Sequence, residues 1–340
     1  MDNLSIVILN WNGKHFLKEY LPKLIQYSSG VPIYVADNAS NDGSVEFIKE
    51  YFTDVKCILL DKNYGFAQGY NEALKEINSR YYLLINSDIE VSPSWIDPLL
   101  KIMENNEIAC CQPKILSISN KKRFEHAGAS GGFLDRNFFP FCRGRILHIT
   151  EEDNGQYDSK KEIFWASGAC LMIQSELFHK VGGFDAHFFA HMEEIDLCWR
   201  LKLLGYKIYV EPTSVVYHVG GGTLKYMSPF KTYLNFRNSL FMITKNYSGN
   251  LFLKIFYRMI LDGMASMLFL FQGNFSHFNS VLKAHFSFYK HLPYLLNQRK
   301  EIQKNIQQFN PTGLYKSSIL WAFYFRKINS YMKLNKKYFQ

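Results

Sequence analysis

Four short segments in the first ninety residues decide the fold: 5–10 (SIVILN), 31–36 (VPIYVA), 55–60 (VKCILL) and 81–86 (YYLLIN). Each is largely apolar, which is typical of a buried strand. Segments with a helical pattern lie between them, at residues 14–27, 42–51 and 66–78. Apolar strands that alternate with helices predict an α/β fold, with a mostly parallel sheet and helices on both faces.

Polar residues follow each of these predicted strands. They are residues 10–13 (NWNG), 37–44 (DNASNDGS), 63–71 (NYGFAQGYN) and 86–88 (NSD). An ordinary turn explains any one of these strand ends, but it explains four in succession poorly. Because parallel sheets bind ligands beyond the carboxyl ends of their strands, we expect a binding site at this edge.

Two carboxylates at the strand ends indicate what this site binds. Asp37 follows an apolar strand directly and can accept hydrogen bonds from a base or a ribose. The sequence contains neither a G-x-G-x-x-G after the first strand nor a G-x-x-x-x-G-K-[ST] motif, so phosphate needs another partner. Asp88, in N-S-D, can hold Mg²⁺ or Mn²⁺ through its oxygens, and the cation can bind a diphosphate.

Together these blocks resemble the family 2 inverting glycosyltransferases of GT-A fold, in particular the rhamnosyltransferase-like proteins that build bacterial surface polysaccharides. The resemblance continues at residues 165–172 (WASGACLM), 181–185 (VGGFD), 187–200 (HFFAHMEEIDLCWR) and 216–223 (VYHVGGGT), and more faintly at 233–238 (YLNFRN). It covers about residues 4–240 and keeps the order of the blocks. It implies a GT-A, Rossmann-like domain that uses a nucleoside-diphosphate sugar.

The resemblance also implies roles for individual residues. The donor side would be formed by Asn10, Asn12, Asp37, Asn38, Ser40, Asp42, Asn63, Gly65, Phe66, Gly69, Asn71, Asn86 and Asp88. Asp37 would contact the nucleobase. Asp88 matches the last acid of the metal-binding D-x-D element, Asn86 stands where some members have the first Asp, and His218 matches a histidine near the metal or diphosphate. The implied cofactor is a divalent cation, Mg²⁺ or Mn²⁺, and Trp165 and Gly168 would lie on the acceptor side.

The catalytic candidates are Glu193 and Glu194, where family members usually have Glu-Asp. By this resemblance Glu194 would be the general base that takes the proton of the acceptor hydroxyl, although Glu193 can also take that role. Single inversion follows if no covalent sugar–enzyme intermediate forms. Without the other blocks, an acidic pair at a helix start is explained by the helix dipole. Asp196 and Arg200 stand four residues apart, so a structural pair on a helix is expected.

The charge of the chain is divided unevenly. The net charge is +9, of which residues 1–230 contribute −5 and residues 231–340 contribute +14. We expect a catalytic domain over residues 1–240 and a basic, aromatic-rich helical extension over residues 241–340, with helices near 251–272 and 275–296. Helices with an apolar face and basic flanks lie readily on an anionic membrane, although a packed helical cap with a basic exterior is an alternative. Nucleic acid is not an expected partner, because the chain carries no module that reads it.

Cysteine usage and hydropathy bear on the location. The six cysteines include no C-x-x-C pair and mostly lie in apolar runs, which favours reduced thiols in the cytoplasm. The chain starts without the basic region of a secretory signal, and no stretch of about 18 uninterrupted apolar residues is present. We expect a cytoplasmic protein bound peripherally to the inner face of the cell membrane.

The expected reaction moves a sugar, with rhamnose suggested by the branch resembled, from a nucleoside diphosphate to a hydroxyl of a glycan or polyprenyl-linked saccharide in cell-surface polysaccharide synthesis. Two alternatives stay open. A sugar nucleotidyltransferase uses a similar sheet and metal-holding Asp, but has no use for the Glu193-Glu194 block. A non-catalytic subunit that binds a nucleotide sugar or an acceptor is the other, and Glu in place of Asp at position 194 favours it.

Overall fold

The computed structural model of the protein describes residues 2–220 and 228–340. Its strands are β1 Asp2–Asn10, β2 Ile33–Asp37, β3 Lys56–Leu59, β4 Ser79–Asn86, β5 Ile89–Val91, β6 Ile108–Ser117, β7 Gly132–Asp135, β8 Pro140–Cys142, β9 Arg145–Ile146, β10 Ile149–Thr150, β11 Lys161–Glu162, β12 Cys170–Gln174, β13 Lys207–His218 and β14 Leu314–Tyr315. Its α-helices are α1 Lys14–Tyr27, α2 Ser44–Tyr51, α3 Gly65–Leu74, α4 Ile96–Met103, α5 Ser175–Lys180, α6 Glu193–Leu203, α7 Pro229–Asn246, α8 Leu251–Phe271, α9 Phe275–Lys304 and α10 Ile319–Tyr324.

The main sheet has the strand order β11-β13-β6-β12-β4-β1-β2-β3, and β5 pairs with β13. The pairs β1–β2, β1–β4, β2–β3 and β6–β13 are parallel, whereas β12 runs antiparallel to β4 and β6. The predicted α/β fold with a mostly parallel sheet is therefore confirmed, and each strand and helix predicted before residue 90 is present. The second helix begins at Ser44 rather than Asp42, because Gly43 adopts a left-handed conformation (φ 77°) and Asp42 accepts a hydrogen bond from the Ser44 amide.

The order of the strands reverses at β1. From β1 the chain continues to β2 and β3 on one side and then returns to β4 on the other side. Asn10 consequently lies opposite Asp37, and Leu9 lies opposite Asn86. This switch point brings the polar ends of β1, β2 and β4 to one edge of the sheet, where α/β sheets bind ligands.

Two apolar cores cover the two faces of the sheet. Ile6 and Ile8 of β1 pack on the face that carries α1, α2 and α4, and Val7 packs on the face that carries α3, α6 and α7. A strand that is buried on both faces needs apolar residues at every position, which explains the continuous apolar segments in the sequence.

The C-terminal helices pack onto the body of the protein. Helix α9 packs against both α7 and α8, and α7 also contacts α6. Strand β14 then joins β7 in a small second sheet of order β10-β9-β8-β7-β14. The predicted helical C-terminal region is confirmed, but α7 runs across residue 240, so the division into two domains there stays a prediction.

Two further expectations can be compared with the structure. All six cysteines are free and five of them are buried, as expected for reduced thiols. In the parts of the chain that the structure describes, no helix combines the length and the hydropathy needed to cross a bilayer.

Candidate active site

A cavity of about 600 Å³ opens at the switch point of the sheet. Eleven of the residues predicted for the site line it: Asn12, Asn38, Asn63, Gly65, Phe66, Asn86, Asp88, Gly168, Glu193, Glu194 and His218. The strand ends thus meet the start of α6 and the end of β13 around one space. The sequence places these residues up to 206 positions apart, so their convergence is a product of the fold.

The loops after β1 and β2 are fixed to each other by buried polar contacts. Asn10 Nδ2 donates to Asp37 Oδ1 at 3.0 Å and to Ser40 Oγ at 3.2 Å. The Ser40 amide donates to Asp37 Oδ2, and the Asn12 amide donates to Ser40 Oγ. Asp42 Oδ2 accepts from the backbone amide of Lys14. Asn10, Asp37, Ser40 and Asp42 do not line the cavity in this conformation; they hold together the loops that do, and their role toward a donor stays a prediction.

The loop after β3 carries the other side of the predicted donor site. Asn38 Nδ2 donates to Asn63 Oδ1 and to the carbonyl of Gly65, both at 3.0 Å. Gly65 has a φ of 74°, and a Cβ atom there would lie 2.5 Å from the ring of Phe189. Only glycine suits this position, because both the backbone conformation and the contact exclude a side chain.

Three other predicted residues lie away from the cavity. Asn71 exchanges two hydrogen bonds with the backbone of Phe184. Gly69 allows α3 to approach β1, since a Cβ atom there would lie 2.9 Å from Leu9. Trp165 is buried and donates through Nε1 to the carbonyl of Phe133. All three stabilise the walls of the site in this conformation, and contact with substrate stays a prediction for them.

The predicted metal ligands face each other at the edge of the cavity. His218 Nε2 lies 3.1 Å from Asp88 Oδ1, and its Nδ1 lies 3.2 Å from Glu125 Oε2. Burial alone would lower the pKa of His218, but the carboxylates of Asp88 and Glu125 raise it to about 10. Glu125 could not be selected from the sequence, because it lies in a loop outside the recognised blocks.

This donor set fits a divalent cation that is shared with a substrate. Among the residues that the structure describes, no three His, Cys, Asp or Glu side chains are arranged to hold an ion by themselves. Asp88 and His218 offer one oxygen and one nitrogen, and a cation bound by few protein ligands takes the remainder from diphosphate oxygens and water. The residues present are thus compatible with a cation that binds together with a nucleotide diphosphate.

Glu193 and Glu194 begin helix α6 and line the cavity. Their Oε2 atoms are buried and have no hydrogen-bond partner among the described residues. Burial raises the pKa of Glu194 to about 7. Burial and the charge of Glu194 raise the pKa of Glu193 well above its usual range. A carboxylate with a pKa near neutrality and a free oxygen is suited to accept a proton.

The loop that leads into these two glutamates has a strained backbone and is held in place by hydrogen bonds from α7. Phe189, His191 and Met192 all have a left-handed backbone, with φ values of 65°, 69° and 73°. The side-chain amide of Asn238, on α7, donates to the carbonyls of Phe188, Ala190 and His191. Arg237 donates to the carbonyls of His187 and Phe188. Such strain persists only where the surroundings fix it and is common at functional sites.

Arg237 and Asn238 were visible in the sequence only as part of the faint block at residues 233–238.

Asp196, expected to be structural, is fully buried and accepts from Arg200 Nε at 2.9 Å and from Lys245 Nζ at 2.9 Å. That expectation is confirmed. The glycine-rich block continues over residues 221–223, which lie outside the described residues.

Comparisons with known proteins identify the family of this chain. The profile of the family described as Glycosyl transferase family 2 matches residues 5–182. A low-salt glycan biosynthesis hexosyltransferase, Agl10, of Haloferax volcanii is 24% identical over 244 residues, which are 70% of this chain and 74% of the relative. An N-acetylglucosaminyl-diphospho-decaprenol L-rhamnosyltransferase of Mycobacterium tuberculosis is 23% identical over 240 residues, which are 65% of this chain and 78% of the relative.

Solved structures show the same fold at lower identity. GalNAc-T7, crystallised with UDP, GalNAc and Mn²⁺, aligns with a TM-score of 0.57 and 15% identity, over 95% of this chain and 56% of that one. S. aureus TarS 1-349 in complex with UDP-GlcNAc aligns with a TM-score of 0.50 and 14% identity, over 90% of this chain and 82% of that one. The fold is therefore of the GT-A type. Because the family profile spans more than half of the chain and the sheet has this fold, the chain belongs to glycosyl transferase family 2 and is a glycosyltransferase.

Proposed function

We propose that this glycosyltransferase moves a sugar from a nucleoside-diphosphate donor to a hydroxyl group of a glycan or a lipid-linked saccharide, with inversion at the anomeric carbon. One observation carries the proposal. Glu194 and Glu193, each with one carboxylate oxygen that has no hydrogen-bond partner among the described residues, line the same cavity as the polar strand ends and the Asp88–His218 pair. A base and a diphosphate site in one cavity suit a direct displacement.

In the proposed reaction the acceptor hydroxyl oxygen forms a bond to the anomeric carbon while the bond from that carbon to the phosphate oxygen breaks. The Glu194 carboxylate takes the hydroxyl proton, and the electron pair of the broken bond leaves with the nucleoside diphosphate. Asp88 and His218 would hold a divalent cation, Mg²⁺ or Mn²⁺, which offsets the charge on the diphosphate when it is bound. No covalent sugar–enzyme intermediate is needed, so the configuration inverts once.

The context of the reaction is also part of the proposal. The names of two relatives, a rhamnosyltransferase acting on a diphospho-decaprenol carrier and a glycan biosynthesis hexosyltransferase, support cell-surface polysaccharide synthesis with a polyprenyl-linked acceptor and, as a first choice, a rhamnose donor. We infer that the protein works in the cytoplasm at the inner face of the membrane, a location that the six free cysteines support.

The experiment is a panel of uridine, deoxythymidine and guanosine diphosphate sugars, with and without Mn²⁺, assayed for released nucleoside diphosphate. We expect release from one nucleotide class, stimulated by Mn²⁺. Asp88→Ala should lower that stimulation about a hundredfold, because it removes a ligand of the cation. Asp54→Ala, an exposed acid elsewhere, is the matched control. Unchanged Mn²⁺ stimulation in Asp88→Ala would contradict the metal assignment, and no release with any donor and acceptor would contradict the function.

A further inference from the structure

Helix α8 exposes its apolar face and buries its charged residues, which is the reverse of an ordinary surface helix. Its nine exposed residues are all apolar or aromatic: Phe252, Leu253, Phe256, Tyr257, Ile260, Met264, Met267, Leu268 and Phe271. At 100° per residue they occupy one continuous face about 160° wide. Phe252 and Phe271 are 77% and 80% exposed, so the two ends of this face project from the protein.

The charged residues of α8 point the other way, into the protein. Arg258 Nε donates to Asp262 Oδ1 at 2.9 Å, and both residues are buried. The Arg258 guanidinium also lies 3.8 Å from the centre of the Phe139 ring. Lys254 Nζ donates to the carbonyl of Arg136. Since each of these charged residues has a partner inside the protein, the outward apolar face is a specific feature of the fold and does not result from a shortage of polar residues.

Helix α9 extends this surface and adds charge to its border. Phe275, Leu282, Phe286, Tyr289 and Leu296 are exposed at helical spacing, and Tyr289 contacts Met259 of α8. Lys283 and Lys290 are exposed beside this stripe. The outward face of α8 and the stripe of α9 are called the hairpin surface below.

The C-terminal region that carries the hairpin surface is strongly basic, which favours an anionic partner. Ten Lys and Arg residues are exposed between residues 231 and 340, against one exposed acidic residue, Glu301. Two copies of this chain would bring two strongly basic surfaces together, whereas an anionic bilayer attracts them. Apolar patches of this size are rare on soluble monomers, and an apolar helix face with basic borders is typical of a helix lying in the bilayer interface.

The hairpin surface also lies next to the catalytic cavity. Phe230 and Lys231, in the first turn of α7, line that cavity. The next residue, Thr232, places its Oγ1 atom 2.8 Å from Nδ1 of His277, in the first turn of α9. The turn between α8 and α9, with Phe271 and Phe275 on either side, is therefore close to the cavity.

We propose that the hairpin surface docks on an anionic lipid bilayer and holds the mouth of the catalytic cavity at the membrane surface. The second part rests on the proposed function, because it explains how a hydroxyl on a lipid carrier reaches Glu194. The hairpin lies in the interface with its apolar face toward the acyl chains, and the lysines contact the lipid headgroups. The bilayer thereby covers the apolar area that the chain itself leaves exposed.

The test is flotation of the full chain with vesicles of phosphatidylcholine, with or without phosphatidylglycerol, at low and high salt. The wild type should bind the anionic vesicles, and high salt should weaken the binding. Phe256→Ser, Met264→Ser and Phe271→Ser combined should lower the partition coefficient by about a hundredfold, because three large apolar side chains no longer enter the interface. The control replaces two exposed apolar residues at the ends of α2 and β3, Tyr51→Ser and Leu59→Ser, and should bind as the wild type does.

Two further variants keep the test independent of folding. Lys283→Gln combined with Lys290→Gln should lower binding to anionic vesicles about tenfold and leave binding to phosphatidylcholine unchanged. Phe256→Trp should show a blue-shifted emission when vesicles are added. Equal flotation of the wild type and the triple serine variant would overturn the proposal. So would a stable dimer in solution that the triple variant dissociates, since a second copy would then cover the surface. Hydrolysis of nucleotide sugar without vesicles tests the cavity separately.

Discussion

The catalytic cavity and the hairpin surface break the rules of protein packing in opposite ways. The cavity buries carboxylate oxygens of Glu193 and Glu194 without a hydrogen-bond partner, whereas the hairpin surface exposes nine apolar side chains on α8 alone. Burying an unpaired carboxylate is costly, and leaving a large apolar face in water is also unfavourable. In both regions the exceptions are concentrated in one place, which indicates that each region binds something during function.

The two exceptions differ in what they require of their surroundings. The cavity needs rigid support, which Arg237 and Asn238 provide through five hydrogen bonds to the carbonyls before α6. The hairpin surface needs only a stable helix pair, and the buried Arg258–Asp262 pair supplies a fixed orientation for α8. A site for chemistry depends on atoms placed within tenths of an ångström, while a bilayer accepts any apolar face of sufficient area.

The largest expected effect is on transfer by Glu194→Gln. The amide keeps the shape of the side chain but cannot take the hydroxyl proton, so kcat should fall by about 10²–10⁴-fold. Donor binding, measured by calorimetry, should stay within about twofold, because binding does not require the base. Glu176→Gln, an exposed glutamate at the start of α5, is the control and should keep full activity. Full activity of Glu194→Gln would assign the base to another residue, with Glu193 tested next.

The second prediction concerns the orientation of α8. Asp262→Ala leaves the buried Arg258 without its carboxylate partner, so the free energy of unfolding should fall by about 3–5 kcal/mol. Phe256→Ser, one and a half turns away on the outward face, should change it by less than about 0.5 kcal/mol. Chemical denaturation of both variants measures the difference. The reverse order of effects would mean that the apolar face is the buried one.

The sequence predicted the catalytic half of this comparison better than the hairpin half. Asn38, Asp88 and Glu194 each lie in a short sequence block that corresponds to the end of one strand or the start of one helix. Such local patterns can be recognised in the sequence. Glu125 could not be selected, because 93 residues separate it from His218 in the sequence. The two come close only because β6, which precedes the loop of Glu125, pairs with β13.

The orientation of α8 was equally hidden. A helical pattern shows that apolar and charged residues occupy opposite faces, and the ordinary interpretation places the apolar face inward. In α8 the aromatic ring of Phe139 and the backbone of Arg136 receive the charged face instead. Those partners are more than a hundred residues away. The sequence therefore predicted helices with an apolar face suited to an anionic membrane, with a packed cap as the alternative, but did not show which residues of α8 turn inward.

The third prediction uses the pKa of Glu194. Because burial raises this pKa to about 7, the carboxylate is ionised above that pH and protonated below it. A base must be ionised, so kcat/KM should rise with pH and level off above about pH 7, with a loss of about a hundredfold at about pH 5. Steady-state rates measured over this range give the profile. The residual activity of Glu194→Gln should lack this rise of kcat/KM with pH. A wild-type profile that stays flat down to about pH 5 would contradict the assignment of Glu194 as the base.

The last prediction is a gain in stability by Glu194→Gln. A carboxyl group whose pKa is raised in the folded state binds its proton more tightly there than in the unfolded chain. Its contribution to stability is therefore full at low pH and is lost as the pH rises through about 7, where the buried carboxylate is charged and unpartnered. The glutamine variant avoids this loss, so it should unfold with a free energy about 3 kcal/mol higher above pH 7, and with an equal one below about pH 4. Denaturation at the two pH values measures this difference. A variant that is less stable at both pH values would show that the Glu194 carboxylate stabilises the fold. The contrast between the catalytic cavity and the hairpin surface would then fail, because Glu194 would no longer be a buried carboxylate that lowers stability.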